Sequence, residues 1–185
     1  DKPRAQVSEA AAVPEAKTSG AVTLAFNEQG SKVAFVGAKV TGKHDGGFGK
    51  FSGTVAVSEG GVVSSVRAEI DTASLTTDTE QLTGHLKSPD FFDVARFPKA
   101  IFQSTQIVPA SANGATHTVT GNLELHGVTK SISFPATLQS SPERVTVRSE
   151  FGINRKDFGI VYPGKPDDLI KDEVLIRLDV VATKP

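Results

Sequence analysis

Cysteine is absent from the 185 residues, which excludes disulfide scaffolds, thiolate zinc sites, iron–sulfur clusters and cysteine nucleophiles. A basic excess is absent too: 20 Lys+Arg face 21 Asp+Glu, so no phosphate-neutralising face for nucleic acid is expected. No apolar run approaches the roughly 20 residues needed to cross a bilayer as a helix. Methionine is missing, and the chain begins at Asp1. That predicts removal of residues upstream, by cleavage of a secretory signal or by trimming of an expressed product. What is present, 38% hydrophobic and 22% charged residues, suffices to pack one core.

Two textures divide the chain. Residues 1–19 mix Ala, Pro, Glu, Lys and Ser with two valines and no Phe, Ile or Leu, too little apolar surface to offset the entropy of ordering. They read as a flexible leader, either a membrane tether or an extension without a role. Residues 20–185 read as one domain of short alternating runs. Val33 and Phe35 share a phase, as do Val55 and Val57, then Val66, Ala68 and Ile70. Val119, Leu123 and Leu125 follow, then Val145, Val147 and Phe151, then Val174, Ile176, Leu178 and Val180. Turn signals separate them at Asp45–Gly47, Gly60–Gly61, Ala112–Gly114, Ser140–Pro142 and Pro163–Pro166. This pattern predicts an all-β sandwich or barrel.

One stretch departs from strand periodicity. Asp78 with Gln81 three residues later resembles a capping box, and Leu82 and Leu86 share a helical face. Ser88-Pro89-Asp90 reads as a second helix start and Pro98 as its stop. Two short helices over one end of the sheet are expected.

Catalytic and metal-binding motifs are missing. Neither H-E-x-x-H nor G-x-S-x-G occurs, and Gly47-Phe48-Gly49 fails as a dinucleotide fingerprint because position 52 is Ser. His44, His85, His117 and His126 lack metal-ligand spacing, so no metal site is expected. Asp167, Asp168, Asp172 and Glu173 lack the spacing of a calcium loop and read as a solvated acidic turn. Strand phase would put Arg155 and Asp157 on one face of the run after Phe151. If inward, they must pair or meet a ligand head group; the alternatives are a structural pair or a strand end in solvent.

Several ordered pieces together resemble the YceI-like family of bacterial lipid-binding proteins. They are Gly49-Lys50-Phe51-Ser52-Gly53, the run Asp71–Thr77, His85-Leu86-Lys87-Ser88-Pro89-Asp90-Phe91-Phe92-Asp93-Val94 with Arg96-Phe97-Pro98, Gly121–Lys130 and Asn154–Gly159. The likeness spans about residues 20–183. One departure is the short opening Val22-Thr23-Leu24-Ala25-Phe26 before the first strand.

The resemblance implies a lipocalin-like barrel of eight antiparallel strands with a helical insert near its mouth. It also implies a periplasmic or secreted location, with a lipoprotein as one form. The expected ligand is a polyisoprenoid, isoprenoid quinone or fatty-acid-like lipid, held in an apolar tunnel down the barrel and gaining roughly 0.8 kcal/mol per CH₂ removed from water. No other cofactor is required. The candidate lining is Phe35, Phe51, Leu123, Phe134 and Phe151 on strands, with Leu82, Leu86, Phe91 and Phe92 at the mouth. His85, Arg155 and Asp157 are candidates for head-group contact. Non-catalytic binding or transport is expected, because no converging set of titratable groups is visible. The competing readings are an enzyme acting on the lipid through His85 or Asp157, and a partner of a membrane redox system. Oligomeric state stays open, a dimer among the options.

Overall fold

Leu24 and Phe26 are buried while Thr23 and Asn27 are exposed, and the same two-residue period buries Val145, Val147 and Phe151 between Arg144, Arg148 and half-buried Glu150. Strands built this way need one covered face, and here the sheet closes on itself. The computed structural model describes residues 2–14, 22–110 and 114–185. Its long strands are β2 (Val22–Asn27), β3 (Lys32–Lys39), β4 (Gly42–Phe48), β5 (Phe51–Val57), β6 (Val63–Asp71), β8 (Lys99–Pro109), β9 (His117–Leu125), β10 (Val128–Ser140), β11 (Arg144–Asn154) and β14 (Glu173–Thr183). Shorter ones are β1 (Gln6–Glu9), β7 (Leu75–Thr77), β12 (Gly164–Lys165) and β13 (Asp168–Leu169).

Antiparallel pairing runs β2–β5–β6–β8–β9–β10–β11–β14, and β14 returns to β2 through Thr183 and Ala25. Eight strands therefore close a barrel. β3 continues β2 along the same edge of β14, with Ile176 opposite Phe35. β4 leads into β5, and β7 continues β6 beside β4. The short segment Val22–Asn27, β2, thus closes the barrel as the first part of a longer, bent strand that β3 continues. Closure removes the free edges an open sheet would leave for aggregation.

The axis of this barrel is filled, not hollow. Leu24, Phe26, Phe51, Val55, Ile132, Phe134, Val145, Val147, Phe151 and Phe158 form a single buried cluster. Phe134 and Phe151 stack with centroids 4.3 Å apart, and Phe102 leans on Phe134 at 5.8 Å. The tunnel expected along the axis is replaced by side chains, as the narrow interior of an eight-stranded barrel permits.

Two expectations about local structure are corrected. The leader is not uniformly flexible, since β1 pairs with β10 from Gln6 opposite Ser133 to Glu9 opposite Lys130. Residues 15–19 of the leader, the boundary at Gly20 and the Ala112 turn signal lie outside the described residues. The reason β1 docks is a seam. β11 pairs with β10 only between Thr137–Ser140 and Val145–Arg148. Beyond it stands Pro135, which has no N–H to continue the ladder; its carbonyl accepts the Ser149 hydroxyl at 2.6 Å. The two strands part there and the N-terminal segment fills the gap. The Ala5 N–H donates to Gly152 O at 2.8 Å, and the Gly152 N–H donates to Pro3 O at 2.9 Å.

The second correction concerns the helical insert. Only one α-helix forms, α1 (Glu80–Lys87), and its cap is Thr79, whose Oγ1 accepts the Leu82 N–H at 3.1 Å. Asp78 turns instead to His44, with Oδ1 and Nδ1 3.1 Å apart. The second helix is replaced by linked turns. The Phe91 and Asp93 N–H groups donate to Ser88 O, the Phe92 N–H donates to Leu86 O, and Asp93 at φ 50 reverses the chain.

Candidate functional site

A cavity of about 540 Å³ lies at one end of the barrel. Its walls come from three places. The end of β3 supplies Phe35, Gly37 and Ala38; α1 and the following turns supply Leu82, His85, Leu86, Phe91 and Phe92; the loop from Ile160 to Lys171 supplies Ile160, Tyr162 and Ile170. None of the residues of α1 is fully buried. Leu82 and Leu86 give the helix an apolar face, yet that face looks onto unfilled space. α1 is therefore a roof over the cavity.

The floor is aromatic. Phe35, Phe48 and Phe92 meet pairwise at centroid distances of 5.6, 6.2 and 5.8 Å and separate the cavity from the barrel core. Phe35 lies over Gly46 on the paired strand, where any Cβ would collide with its ring. On the side wall His85, Phe91 and Tyr162 form an edge-to-face trio at 4.9, 5.2 and 5.3 Å. His85 Nε2 lies 3.0 Å from Asp90 Oδ2, which fixes the imidazole plane.

Arg155 ties the loop wall to the barrel. It is 4% exposed. Its Nε donates to Lys171 O at 3.1 Å, Nη1 to Ile160 O at 2.8 Å and Nη2 to Ile170 O at 3.3 Å. The Asp172 carboxylate is 3.8 Å from Nη2. Burial pulls the guanidinium below its usual value and Asp172 opposes the shift. The arginine stays charged, since its ordinary value lies far above neutral pH. Three carbonyls accept from its N–H groups and the carboxylate stands by as a counter-charge, so its role is to hold the loop.

Seven of the twelve sequence candidates converge on the cavity: Phe35, Leu82, His85, Leu86, Phe91, Phe92 and Arg155. Five do not. Phe51, Phe134 and Phe151 are buried in the core cluster, and Leu123 packs against it. Asp157 is exposed on the outside. Strand phase would have paired it with Arg155, but residues Arg155–Phe158 form a 3₁₀ turn. A three-residue period turns Arg155 and Phe158 inward and leaves Lys156 and Asp157 in solvent.

The Ile160–Lys171 wall escaped the sequence reading. Its Pro, Gly and acidic residues look like a solvated turn. Yet Asp168 accepts hydrogen bonds from Thr41, through N–H at 3.2 Å and Oγ1 at 3.0 Å. Asp172 pairs with Lys156 at 3.2 Å and Glu173 with Arg4 at 2.6 Å. The usable signal was Ile160, Tyr162 and Ile170, apolar side chains in a segment otherwise polar.

Eight antiparallel strands closed up and down, with a helical roof over an apolar end cavity, define a lipocalin-like barrel. The YceI-like domain family model matches residues 24–182, and the chain belongs to that family. A UPF0312 protein of Pseudomonas putida (strain W619) is 37% identical over 120 residues, a match spanning 62% of each chain. The crystal structure of Burkholderia cenocepacia BcnA superposes with a TM-score of 0.75 at 28% identity, covering 85% of this chain and 99% of that one. A polyisoprenoid binding domain from Saccharophagus degradans, implicated in plant cell wall breakdown, has a TM-score of 0.68 at 18% identity over 88% of this chain and 98% of that one.

Proposed function

We propose that the protein binds a long amphiphilic lipid, a polyisoprenoid, isoprenoid quinone or fatty-acid-like molecule, without chemical change, and sequesters or transports it. The observation that carries this reading is the unfilled cavity roofed by α1 and floored by Phe35 and Phe92, with Phe48 packed behind them. The apolar side chains of the wall suit a hydrocarbon chain, which leaves water at roughly 0.8 kcal/mol per CH₂, and the polar ones, Lys39, Lys165 and Lys171 among them, suit a head group. The likeness to a polyisoprenoid binding domain supports the same chemistry. The chain sits at the barrel mouth, since the axis below is occupied by core side chains. A periplasmic or secreted setting, with a tether through the N-terminal segment as one form, fits a carrier that moves lipid through water.

Organic extraction of purified protein followed by mass spectrometry tests the reading. Recovery of a stoichiometric prenyl or acyl lipid, or saturable uptake of an added one, is expected. Repeated absence of both removes the proposal. Two cavity histidines have carboxylate partners, His44 with Asp78 and His85 with Asp90, and the enzymatic alternative rests on the second, which Tyr162 adjoins. A lipid returned chemically altered after incubation, and unaltered with His85→Ala, would assign chemistry to that group.

A further inference from the structure

The rim of the cavity carries apolar side chains with nothing over them. Val40 is 68% exposed, Val161 61% and Leu169 49%. Val40 occupies the two-residue turn between β3 and β4, a position where Gly, Asn, Asp or Ser is the usual choice. Val161 stands between Ile160 and Tyr162, both of which line the cavity. The other exposed large hydrophobics among the described residues lie elsewhere: Val22 and Val62 toward the opposite end of the barrel, Val13 in the N-terminal segment. The platform is firm. The Val40 N–H donates to Leu169 O at 3.0 Å and the Lys171 N–H to Ala38 O at 2.8 Å, and Asp168 clasps Thr41.

Lysines flank these tips. Lys39, Lys165 and Lys171 line the cavity, and Lys43 follows the turn on β4. Among the described residues no salt bridge engages any of the four, although nine of the fourteen other surface lysines and arginines are paired. The acidic neighbours along the chain are Asp45, Asp167, Asp168 and Asp172, of which Asp168 is engaged by Thr41 and Asp172 by Lys156. Apolar tips ringed by unpaired lysines match the boundary between acyl chains and anionic head groups.

We propose that this rim docks on an anionic phospholipid bilayer. Val40, Val161 and Leu169 enter the head-group boundary and the lysines meet lipid phosphates. The cavity mouth then faces the acyl layer, and a lipid passes in without crossing water. The proposal rests on the lipid-binding reading only for what passes through the mouth.

The test is flotation with vesicles of phosphatidylcholine alone and of phosphatidylcholine with an equal share of phosphatidylglycerol. Binding to the anionic vesicles alone is expected, weakened by 0.5 M salt as screening requires (a Debye length of roughly 3–10 Å above 0.1 M). Lys43→Glu should lower partitioning several-fold, each lysine near such a surface contributing about fivefold. The pair Val40→Asp and Leu169→Asp should lower it at least tenfold, with unchanged melting temperature and unchanged lipid content after loading from detergent. None of these three residues touches the cavity. Wild-type protein that retains lipid but floats with neither vesicle overturns docking and leaves the carrier reading standing. Anionic-vesicle binding that these substitutions abolish, in protein that never retains lipid, does the reverse. Vesicle binding indifferent to all of them overturns docking.

Discussion

Arg155 shows what a buried cation does in this fold. Its side chain ends among the carbonyls of Ile160, Ile170 and Lys171, the first bond buried and the other two partly so. Arg155→Met removes all three donors at about 1–3 kcal/mol per buried acceptor left unsatisfied. Loop detachment and a melting temperature lower by at least several degrees are expected in a thermal scan, given about 2–4 °C per kcal/mol at this chain length. Arg155→Lys should rescue little, because one ammonium cannot reach three divergent carbonyls. Asp157→Asn is the control and should change stability by under about 0.5 kcal/mol, since the carboxylate is in solvent. Phe92 belongs to the other category. It touches Phe35 and Phe48 and faces the cavity. Phe92→Ala should weaken lipid retention roughly tenfold or more, the loss expected from part of an aromatic contact surface. Retention equal to wild type in a titration with radiolabelled lipid would take Phe92 out of the site.

The element with the least expected role is β1. A segment poor in apolar residues gains order because Pro135 leaves a gap in the wall and backbone groups on both sides of it lack partners. Ladder hydrogen bonds do most of the holding, at about 1 kcal/mol each. Val7 and Ala5 add contact with the core cluster, and the exposed pairs of Lys2 with Glu150 and Arg4 with Glu173 add little. Deletion of residues 1–11 should lower stability by a few kcal/mol, read as an earlier urea midpoint, and speed amide exchange along β10 at Lys130–Ser133. Acid should loosen the same element. Lys2 holds the Glu150 carboxyl below its usual range, burial opposes it, and Arg177 adds a smaller pull in the same downward direction. A depressed folded-state value means the contribution is whole above the ordinary glutamate range and is lost as pH falls through the lower, folded value. Exchange at Ala5 and Gly152 should therefore rise only below about pH 4.

Across the whole molecule, the packed core and the open cavity occupy different halves. The filled half holds Phe134 stacked on Phe151, and the open half holds α1 and the Ile160–Lys171 wall. Phe134→Ala should cost about 3–5 kcal/mol, the range for removing a buried aromatic. Protein refolded at low temperature should still retain lipid at the wild-type level. A joint loss of both, with the fold intact by circular dichroism, would show that the core reaches the ligand.

Period-two alternation was legible along most of the chain because it depends only on which residues can face a core, as at Val145, Val147 and Phe151. The roof was legible too, since Leu82 and Leu86 share a helical face in any surroundings. Phase, however, does not say what lies opposite. Phe51 and Phe35 carry the same residue type in the same alternation, and only the assembled barrel sets one against Phe26 and the other beside an open cavity. Asp157 was misplaced because a single 3₁₀ turn replaces the strand period after Asn154. Patterning alone determined an all-β sandwich or barrel with a helical cover over one end of the sheet, because patterning and turn chemistry act between near neighbours. Tertiary structure alone decided that the axis is solid, that the cavity lies at the mouth, and that the leader closes a seam. Those outcomes depend on volumes and hydrogen-bond vacancies contributed by residues far apart in the chain.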